Sequence, residues 1–458
     1  MSALPLLGEH RVEAIVGFAD REPVAAGPFL DEVALVAASL PDGAYVLNLC
    51  TDRYRFAVGL AAALTRGQIT LLPPDQTPAL IANLKTRYPD LYCLADHAGA
   101  EVALRRVAYP ESEAREVRHC AGHMLQPEGA WSAPRAIPVH QPEQVVAHVF
   151  TSGSTGAPQP HAKTWGSLVQ GSRAAGLALG IHQLQGASLL ATVPAQHMYG
   201  LESSVLLPLQ HGLALDSSRR LFPADITARL AELSRPRILV TTPVHLRALL
   251  AETGTLPPLD LVLCATAPLA DELAQEAESR FCAPLQEIYG CTEAGQIAVR
   301  RTVRGPFWSP LPGIRLALSE AGVLASGGSV ENPSLLQDQI ELLPNGSFLL
   351  QGRNADLVNI AGKRTSLAYL NHQLHSIPGV IDGIFVMPLE AGDRVTRLLA
   401  FVVAPDLSDE ELFLALRARI DSAFLPRPLC RVDSLPRNAT GKLPQAALVR
   451  LVTESGAL

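Results

Sequence analysis

Short apolar runs alternate with stretches in which apolar positions recur every three or four residues, and this alternation governs roughly the first 300 positions. Tyr45-Val-Leu-Asn-Leu reads as a buried strand, Phe56 to Thr65 as a helix and Ile69-Thr-Leu-Leu as a second strand, which together form a βαβ signature. The same texture returns where apolar Val145–Phe150 precedes a Gly/Ser loop and an expected helix. Leu189–Val193, Ile238–Val240 and Leu261–Cys264 are further expected strands with helical stretches between them. Strands alternating with helices predict an α/β fold with a mostly parallel sheet. Residues 106–143, rich in charge and proline, interrupt the pattern and read as irregular surface or a subdomain crossing. Short strands with turns over residues 313–351, including Pro344-Asn-Gly, predict a small antiparallel or barrel-like unit. A last unit from about residue 357 has its own strands (Gly383–Met387, Leu398–Val403), a helix over Asp409–Ala423 and a C-terminal loop. Its size, close to ~100 residues, suits an independent domain.

A chain of 458 residues is too long for one ordinary core, so more than one domain is expected. With 48% hydrophobic and 18% charged residues the composition is that of a globular protein. The net charge of -7 argues against nucleic acid as the main partner, because phosphate backbones demand a basic face. No apolar run reaches the roughly 18 residues of a membrane helix; the most apolar stretch, Phe56 to Leu72, is broken by Arg66, Gln68 and Thr70. The start, Met1 to Arg11, lacks a basic-then-apolar signal pattern, and the 7 scattered cysteines suggest no disulfide framework, so a cytoplasmic protein is expected.

The strongest local feature is Phe150-Thr151-Ser152-Gly153-Ser154-Thr155-Gly156-Ala157-Pro158, a strand running into small hydroxyl and glycine residues. Such a turn lets backbone N–H groups approach a phosphate, although the Walker spacing is absent. The run resembles the phosphate loop of the ANL superfamily of adenylate-forming enzymes, which includes acyl- and aryl-CoA synthetases and peptide-synthetase adenylation domains. Four further segments keep that superfamily's order. Pro194-Ala-Gln-His197-Met-Tyr199-Gly200 resembles its aromatic/His motif beside the acyl pocket. Cys264-Ala265-Thr266-Ala267-Pro268-Leu269 resembles the segment, usually Gly-Gly-Ala-Pro, that lies against acyl group and adenine. Tyr289-Gly290-Cys291-Thr292-Glu293 matches Tyr-Gly-x-Thr-Glu, and Leu435-Pro436-Arg437-Asn438-Ala439-Thr440-Gly441-Lys442 is close to the C-terminal lysine loop. Asp338 stands 15 positions before Arg353, as does the superfamily's ribose-binding Asp before its Arg.

The resemblance implies a large N-terminal domain (1–353) of parallel βα-type sheets with a small barrel-like subdomain, a hinge at 354–356 and a small mobile α+β lid (357–458). It implies an AMP-forming acid–thiol ligase that turns an aryl or fatty acid and MgATP into acyl-AMP and pyrophosphate. The acyl group then passes to coenzyme A or to the phosphopantetheine of an acyl carrier protein. Residue types fit that chemistry. A carboxylate approaching an α-phosphate needs a cation between two anions, the part implied for Lys442, while Glu293 would ligate Mg2+ through oxygen. Thr292 would donate to the α-phosphate, Tyr289 pack on adenine beside Gly290 and Ala267, and Asp338 accept from the ribose hydroxyls with Arg353 assisting. Thr151, Ser152, Gly153, Ser154, Thr155 and Gly156 would cradle phosphates; His197, Tyr199, Gly200, Ala265 and Thr266 would line the acyl pocket.

Departures from the pattern matter as much. The loop usually continues Pro-Lys-Gly, whereas here Gln159 takes the lysine position and Lys163 follows four positions later, a candidate substitute for reaching the β/γ-phosphates. This variant is similar to the ligases of aryl-polyene and xanthomonadin-type clusters. At the expected hinge Ala355 replaces the usual Asp or Lys and is followed by Asp356; Gly362-Lys363-Arg364 survives, but Tyr369-Leu370-Asn371 replaces Glu-x-Glu. Two other readings stay open: a stand-alone amino-acid adenylation domain, against which Tyr199 stands near the expected amine-binding Asp, and a nucleotide-binding protein without turnover. His119-Cys120-Ala-Gly-His123 has no second cluster to complete a metal site. Arg417, Arg419, Arg427, Arg431 and Arg437 make the C-terminal unit a candidate dock for an anionic acceptor.

Overall fold

The computed structural model describes residues 2–11, 13–73, 76–97, 102–110, 136–151, 159–217, 222–353, 357–360, 363–387, 398–438 and 441–454. The βαβ unit expected near the start is present. The strand Tyr45–Asn48 pairs in parallel with Ile69–Leu72 across the helix Arg53–Thr65, and on its other side with Tyr92–Ala95. Asp52 starts the helix by accepting from Arg55 N at 2.9 Å, and almost every residue of this helix is buried because it is sandwiched between sheets. Val145–Thr151 adds in parallel to Ile69–Leu72.

The Gly/Ser loop does not lead directly into a helix. Gln159–Thr164 folds back antiparallel on Val145–Thr151, and only then does the helix Trp165–Ala178 begin, capped by Thr164. Pro160 is tolerated because this strand is the edge of its sheet, where a missing N–H leaves no ladder bond unmade.

The second sheet carries a parallel centre in the order Leu285–Cys291, Leu261–Cys264, Arg237–Thr241, Ser188–Ala191, Ala214–Asp216 and Ile15–Ala19. Ser188–Ala191 and Leu261–Cys264 are buried at every position, as a sheet covered on both faces requires. Gly295–Arg300 reverses direction beside Leu285–Cys291, and Phe307–Pro310, Phe348–Arg353 and Asp338–Leu342 extend that antiparallel edge.

The barrel-like subdomain expected at residues 313–351 is not a barrel among the described residues. Arg315–Ser319, Gly322–Gly327 and Val330–Leu335 form an open three-stranded antiparallel sheet, whereas the hairpin Asp338–Leu342/Phe348–Arg353 joins the large sheet through Phe307–Pro310. The strands bond to two different sheets, so no ring of pairing closes.

Residues beyond 357 build a core of their own around Leu370, Leu374, Phe385, Leu398, Leu412 and Leu416. Asp382–Val386 pairs antiparallel with Leu399–Val403, and Leu429–Arg431 lies parallel on the far side. The helix expected to Ala423 stops at Arg417, since Asp421 caps a separate 3-10 turn by accepting from Ala423 N at 3.0 Å. The C-terminus is not only loop: Gln445–Glu454 is helical and buries Val452 against Phe401 and Leu435. The hinge residues 354–356 and Gly362 lie outside the described residues. No helix among the described residues is long and apolar enough to cross a membrane.

Candidate active site

Of the expected nucleotide residues, Tyr289 and Asp338 come together where the strand Leu285–Cys291 ends, with Arg353 opposite Asp338 in register. Tyr289 is 8% exposed and sits in an aromatic cluster, its ring 5.7 Å from Trp308 and 5.8 Å from Phe348. Its hydroxyl donates to Asp338 Oδ2 at 2.7 Å. Asp338 is directly opposite Arg353 in the hairpin register, so the 15-residue spacing in sequence is a cross-strand pair in space. Gly290 has a steric reason: a Cβ there would stand 2.3 Å from Gly295 O, where the strand turns back on itself. Thr292 and Glu293 occupy that turn, with the Glu293 carboxylate 41% exposed and 3.9 Å from His161 Nε2. Thr151 ends its strand at the mouth of the phosphate loop, whereas Ser152, Gly153, Ser154, Thr155 and Gly156 lie outside the described residues.

Among the residues expected to line an acyl pocket, Pro194 to Gly200 leads into a helix that begins at Met198 with His197 as its N-cap. Gly200 is obligatory, because a Cβ would fall 1.8 Å from Pro194 O. Tyr199 donates its hydroxyl to Thr241 O at 3.2 Å, and burial pushes its phenol well above the ordinary range. Ala265, Thr266 and Ala267 follow the strand Leu261–Cys264. Thr266 has φ +85°, a left-handed conformation that a β-branched side chain adopts only under strain, at the position where the resemblance has glycine. Cys264 is fully buried and its thiol is held far above the usual range by desolvation, consistent with packing and not with a nucleophile.

A charged group absent from the sequence-derived site is Glu202. It opens a π-helical turn, Glu202–Leu206, directly after Gly200 and Leu201. It is 7% exposed and accepts from Gln296 N at 3.3 Å. Burial pushes its carboxyl up to about 7, with the charge of Lys163 opposing. Its signal in the sequence is a lone acid within the apolar run Leu201 to Leu209. Lys163 itself is neither at the surface nor in a loop: it is 6% exposed on the edge strand, and its ammonium donates to the Glu293 carbonyl at 2.6 Å. Burial lowers its pKa, and Glu202 is the largest influence raising it.

The last expected piece comes from the C-terminal unit. Lys442 is exposed, and its neighbour Gly441 (φ +78°) rests on the large unit, with Thr242 Oγ1 and Val244 Cγ2 each 3.7 Å from where a Cβ would be. Thr242 caps the helix Pro243–Ala251 that follows Arg237–Thr241, the strand to which Tyr199 is bonded. Tyr199, expected to line an acyl pocket, and Gly441, which precedes Lys442, therefore both contact the chain at one helix start. Arg431 and Arg437 are engaged within their own unit, on Leu407 O, Asp409 and Asp382, and Arg419 on Ala415 O, and of the three Arg437 has its charge paired with a largely buried carboxylate. His119, Cys120 and His123 lie outside the described residues.

A family model described as AMP-binding enzyme matches residues 55–328. The chain is 29% identical over 296 residues to a 4-coumarate–CoA ligase of Rhodobacter capsulatus, covering 64% of this chain and 73% of that protein. It is 25% identical over 349 residues to a 2-succinylbenzoate–CoA ligase of Bacillus mycoides, covering 68% and 71%. The o-succinylbenzoate CoA synthetase of Bacillus subtilis, solved with its acyl-adenylate OSB-AMP, superposes with a TM-score of 0.79 at 18% identity over 98% of both chains.

Proposed function

This chain belongs to the AMP-binding enzyme family of the ANL adenylate-forming superfamily, and on that premise we propose that it is an ATP-dependent acid–CoA ligase for an aryl carboxylic acid. The observation that carries the reading is the Tyr289–Asp338 hydrogen bond at 2.7 Å, which sets an aromatic ring and a carboxylate side by side as adenosine requires. The aryl class is supported by the relatives, whose named acids, 4-coumarate and 2-succinylbenzoate, both carry a benzene ring. Tyr199, with its hydroxyl committed to Thr241 O, offers no carboxylate to an α-amine, which speaks against an amino-acid substrate.

In this reading the acid lies between His197, Tyr199, Gly200 and the Ala265–Thr266 segment. Its carboxylate oxygen attacks the α-phosphorus of ATP, the bond to the bridging oxygen breaks, and pyrophosphate leaves. Thr292 donates to the α-phosphate, and Ala267, Tyr289, Gly290, Asp338 and Arg353 hold the nucleoside. Lys442 lies between the two anions and stabilises the charge that builds at the α-phosphate. Thr151 to Gly156 offer backbone donors to the phosphates. A single half-exposed carboxylate, Glu293, fits Mg2+, which keeps most of its waters and is completed by substrate phosphates; when bound it would neutralise the departing pyrophosphate. Lys163, fixed on the Glu293 carbonyl, adds positive charge beside that turn. In the second half-reaction the C-terminal unit withdraws Lys442, and the thiol of coenzyme A displaces AMP from the acyl carbon.

The test is a panel of aryl and fatty acids with MgATP, read as pyrophosphate release and then as thioester with coenzyme A or a holo carrier protein. Aryl acids are expected to release pyrophosphate and to yield aryl-CoA. Release with fatty acids alone would overturn the aryl assignment, and release with no acid would overturn the ligase.

A further inference from the structure

The segment that carries Lys442 is held by a bracket of charged side chains that the reaction chemistry does not itself use. Asn438 and Lys442 close a turn on each other: Asn438 N donates to Lys442 O at 2.7 Å, Lys442 N to Asn438 Oδ1 at 3.0 Å, and Gly441 N to Asn438 O at 2.9 Å. Arg437 precedes this turn and spans it. Its Nη1 donates to Gly441 O at 2.9 Å, the carbonyl joined to Lys442, while Nε and Nη2 grip the two oxygens of Asp382 at 2.6 and 2.7 Å. Fork-on-fork pairing of this kind fixes orientation as well as distance, and both side chains are largely buried, at 16% and 13% exposure. His375 Nε2 stands 3.4 Å from the same carboxylate. Burial alone would raise the Asp382 carboxyl, but His375 and Arg437 outweigh it and hold the acid well below the usual carboxylate range.

The bracket has a partner on the other unit. Arg247, on the helix Pro243–Ala251, donates from Nη1 to Ile381 O at 3.1 Å, one residue before Asp382. The charges of Asp382 and Arg437 both act on it. The start of this helix, at Thr242 and Val244, is the surface on which Gly441 rests.

We infer that Arg437 and Arg247 are positioning residues for the adenylation half-reaction: Arg437, locked on Asp382, presents Lys442, and Arg247 docks the C-terminal unit onto the large one through the Ile381 carbonyl. This rests on the ligase reading given above. The bracket within the C-terminal unit travels with Lys442, whereas the Arg247 bond breaks whenever that unit moves away. Losing Arg247 therefore weakens one arrangement of the two units and leaves the other untouched.

The experiment compares Arg247→Ala, Arg247→Lys, Arg437→Met and Asp382→Asn in the full chain, with the two half-reactions measured apart. Pyrophosphate exchange reports adenylation, and thioester formation from supplied aryl-AMP and coenzyme A reports the second step. Arg247→Ala and Arg437→Met are expected to slow adenylation roughly ten- to a hundredfold, the scale of a misplaced catalytic group, with the second step changed less than about twofold. Arg247→Lys is expected to recover most of the loss, since an ammonium still reaches a carbonyl. Asp382→Asn is expected to resemble Arg437→Met. Equal losses in both half-reactions, or unchanged adenylation in Arg247→Ala, would overturn the inference. Small-angle scattering separates its failure from that of the ligase reading. If the wild type adenylates no acid, a larger radius of gyration for Arg247→Ala still upholds the docking role, and an identical one refutes it.

Discussion

Tyr289 and Asp338, 49 residues apart in sequence, are joined by a 2.7 Å hydrogen bond from phenol to carboxylate. The bond ties the last parallel strand of the large sheet to the antiparallel hairpin at that sheet's edge, and it orders the two groups against each other. A carboxylate already oriented by a phenol would lose less freedom on accepting from the ribose hydroxyls that the proposed function assigns to it.

Asp338→Ala is accordingly expected to weaken ATP binding by about 1.5–3 kcal/mol, the worth of hydrogen bonds to a charged acceptor. Tyr289→Phe retains the ring and removes only the orienting hydroxyl, so a loss nearer ~1 kcal/mol is expected. Calorimetric titration with a non-hydrolysable ATP analogue measures both, and equal affinity of Asp338→Ala and wild type would misplace the ribose.

Lys442→Ala is expected to slow pyrophosphate release a hundredfold or more, about 3 kcal/mol of electrostatic stabilisation, while thioester formation from supplied aryl-AMP stays near wild type. Single-turnover assays of the two steps decide it; a loss shared by both would remove Lys442 from the first step alone.

Glu202 sets a pH dependence of stability. Its folded-state carboxyl, at about 7, lies above its ordinary 4.5, so the folded protein keeps a proton that the unfolded chain releases between those values. Stability is therefore lost as pH rises through that window, by up to about 3 kcal/mol, and then levels off. Glu202→Gln, permanently neutral, is expected to gain stability over wild type at pH 8 and to match it near pH 4.5. Urea unfolding at the two pH values checks the sign, and a variant less stable at pH 8 would show that the charge pair with Lys163 dominates.

Thr266 carries backbone strain at φ +85°. Thr266→Gly is expected to stabilise the protein by about 1 kcal/mol, because only glycine occupies this region freely. Denaturant midpoints measure this directly; a destabilised variant would mean that the Thr266 side chain contributes more through its contacts than the strain costs.

The parallel core was legible because buried strands leave unbroken apolar runs, and the Asp338–Arg353 spacing was legible through its resemblance to the superfamily's motif, which the hairpin turns into a cross-strand pair. The strand Gln159–Thr164 was not, since its alternation is masked by Pro160 and by Lys163, a charged residue in a buried position. Glu202 escaped because its partners Lys163 and Gln296 come from distant strands, and a lone acid between Leu201 and Leu209 does not by itself announce a buried charge. The bracket of Arg437, Asp382 and Arg247 depends on three segments whose separations carry no periodicity. In the sequence Arg437 reads as part of a basic surface, and its commitment to Asp382 emerges only in three dimensions.

The π turn at Glu202–Leu206 has a consequence for how such a pocket diversifies. A π turn is an α-helix holding one surplus residue. Deleting one residue there would restore ordinary helical pairing and leave the flanking turns facing as they do now, because the surplus residue is absorbed within the bulge itself. Tyr199 on one side and Leu207 on the other would keep their neighbours, and only the wall within the turn, where Glu202 stands, would change. A change of length at this turn therefore relines the stretch around Glu202 without repacking the helix on either side of it.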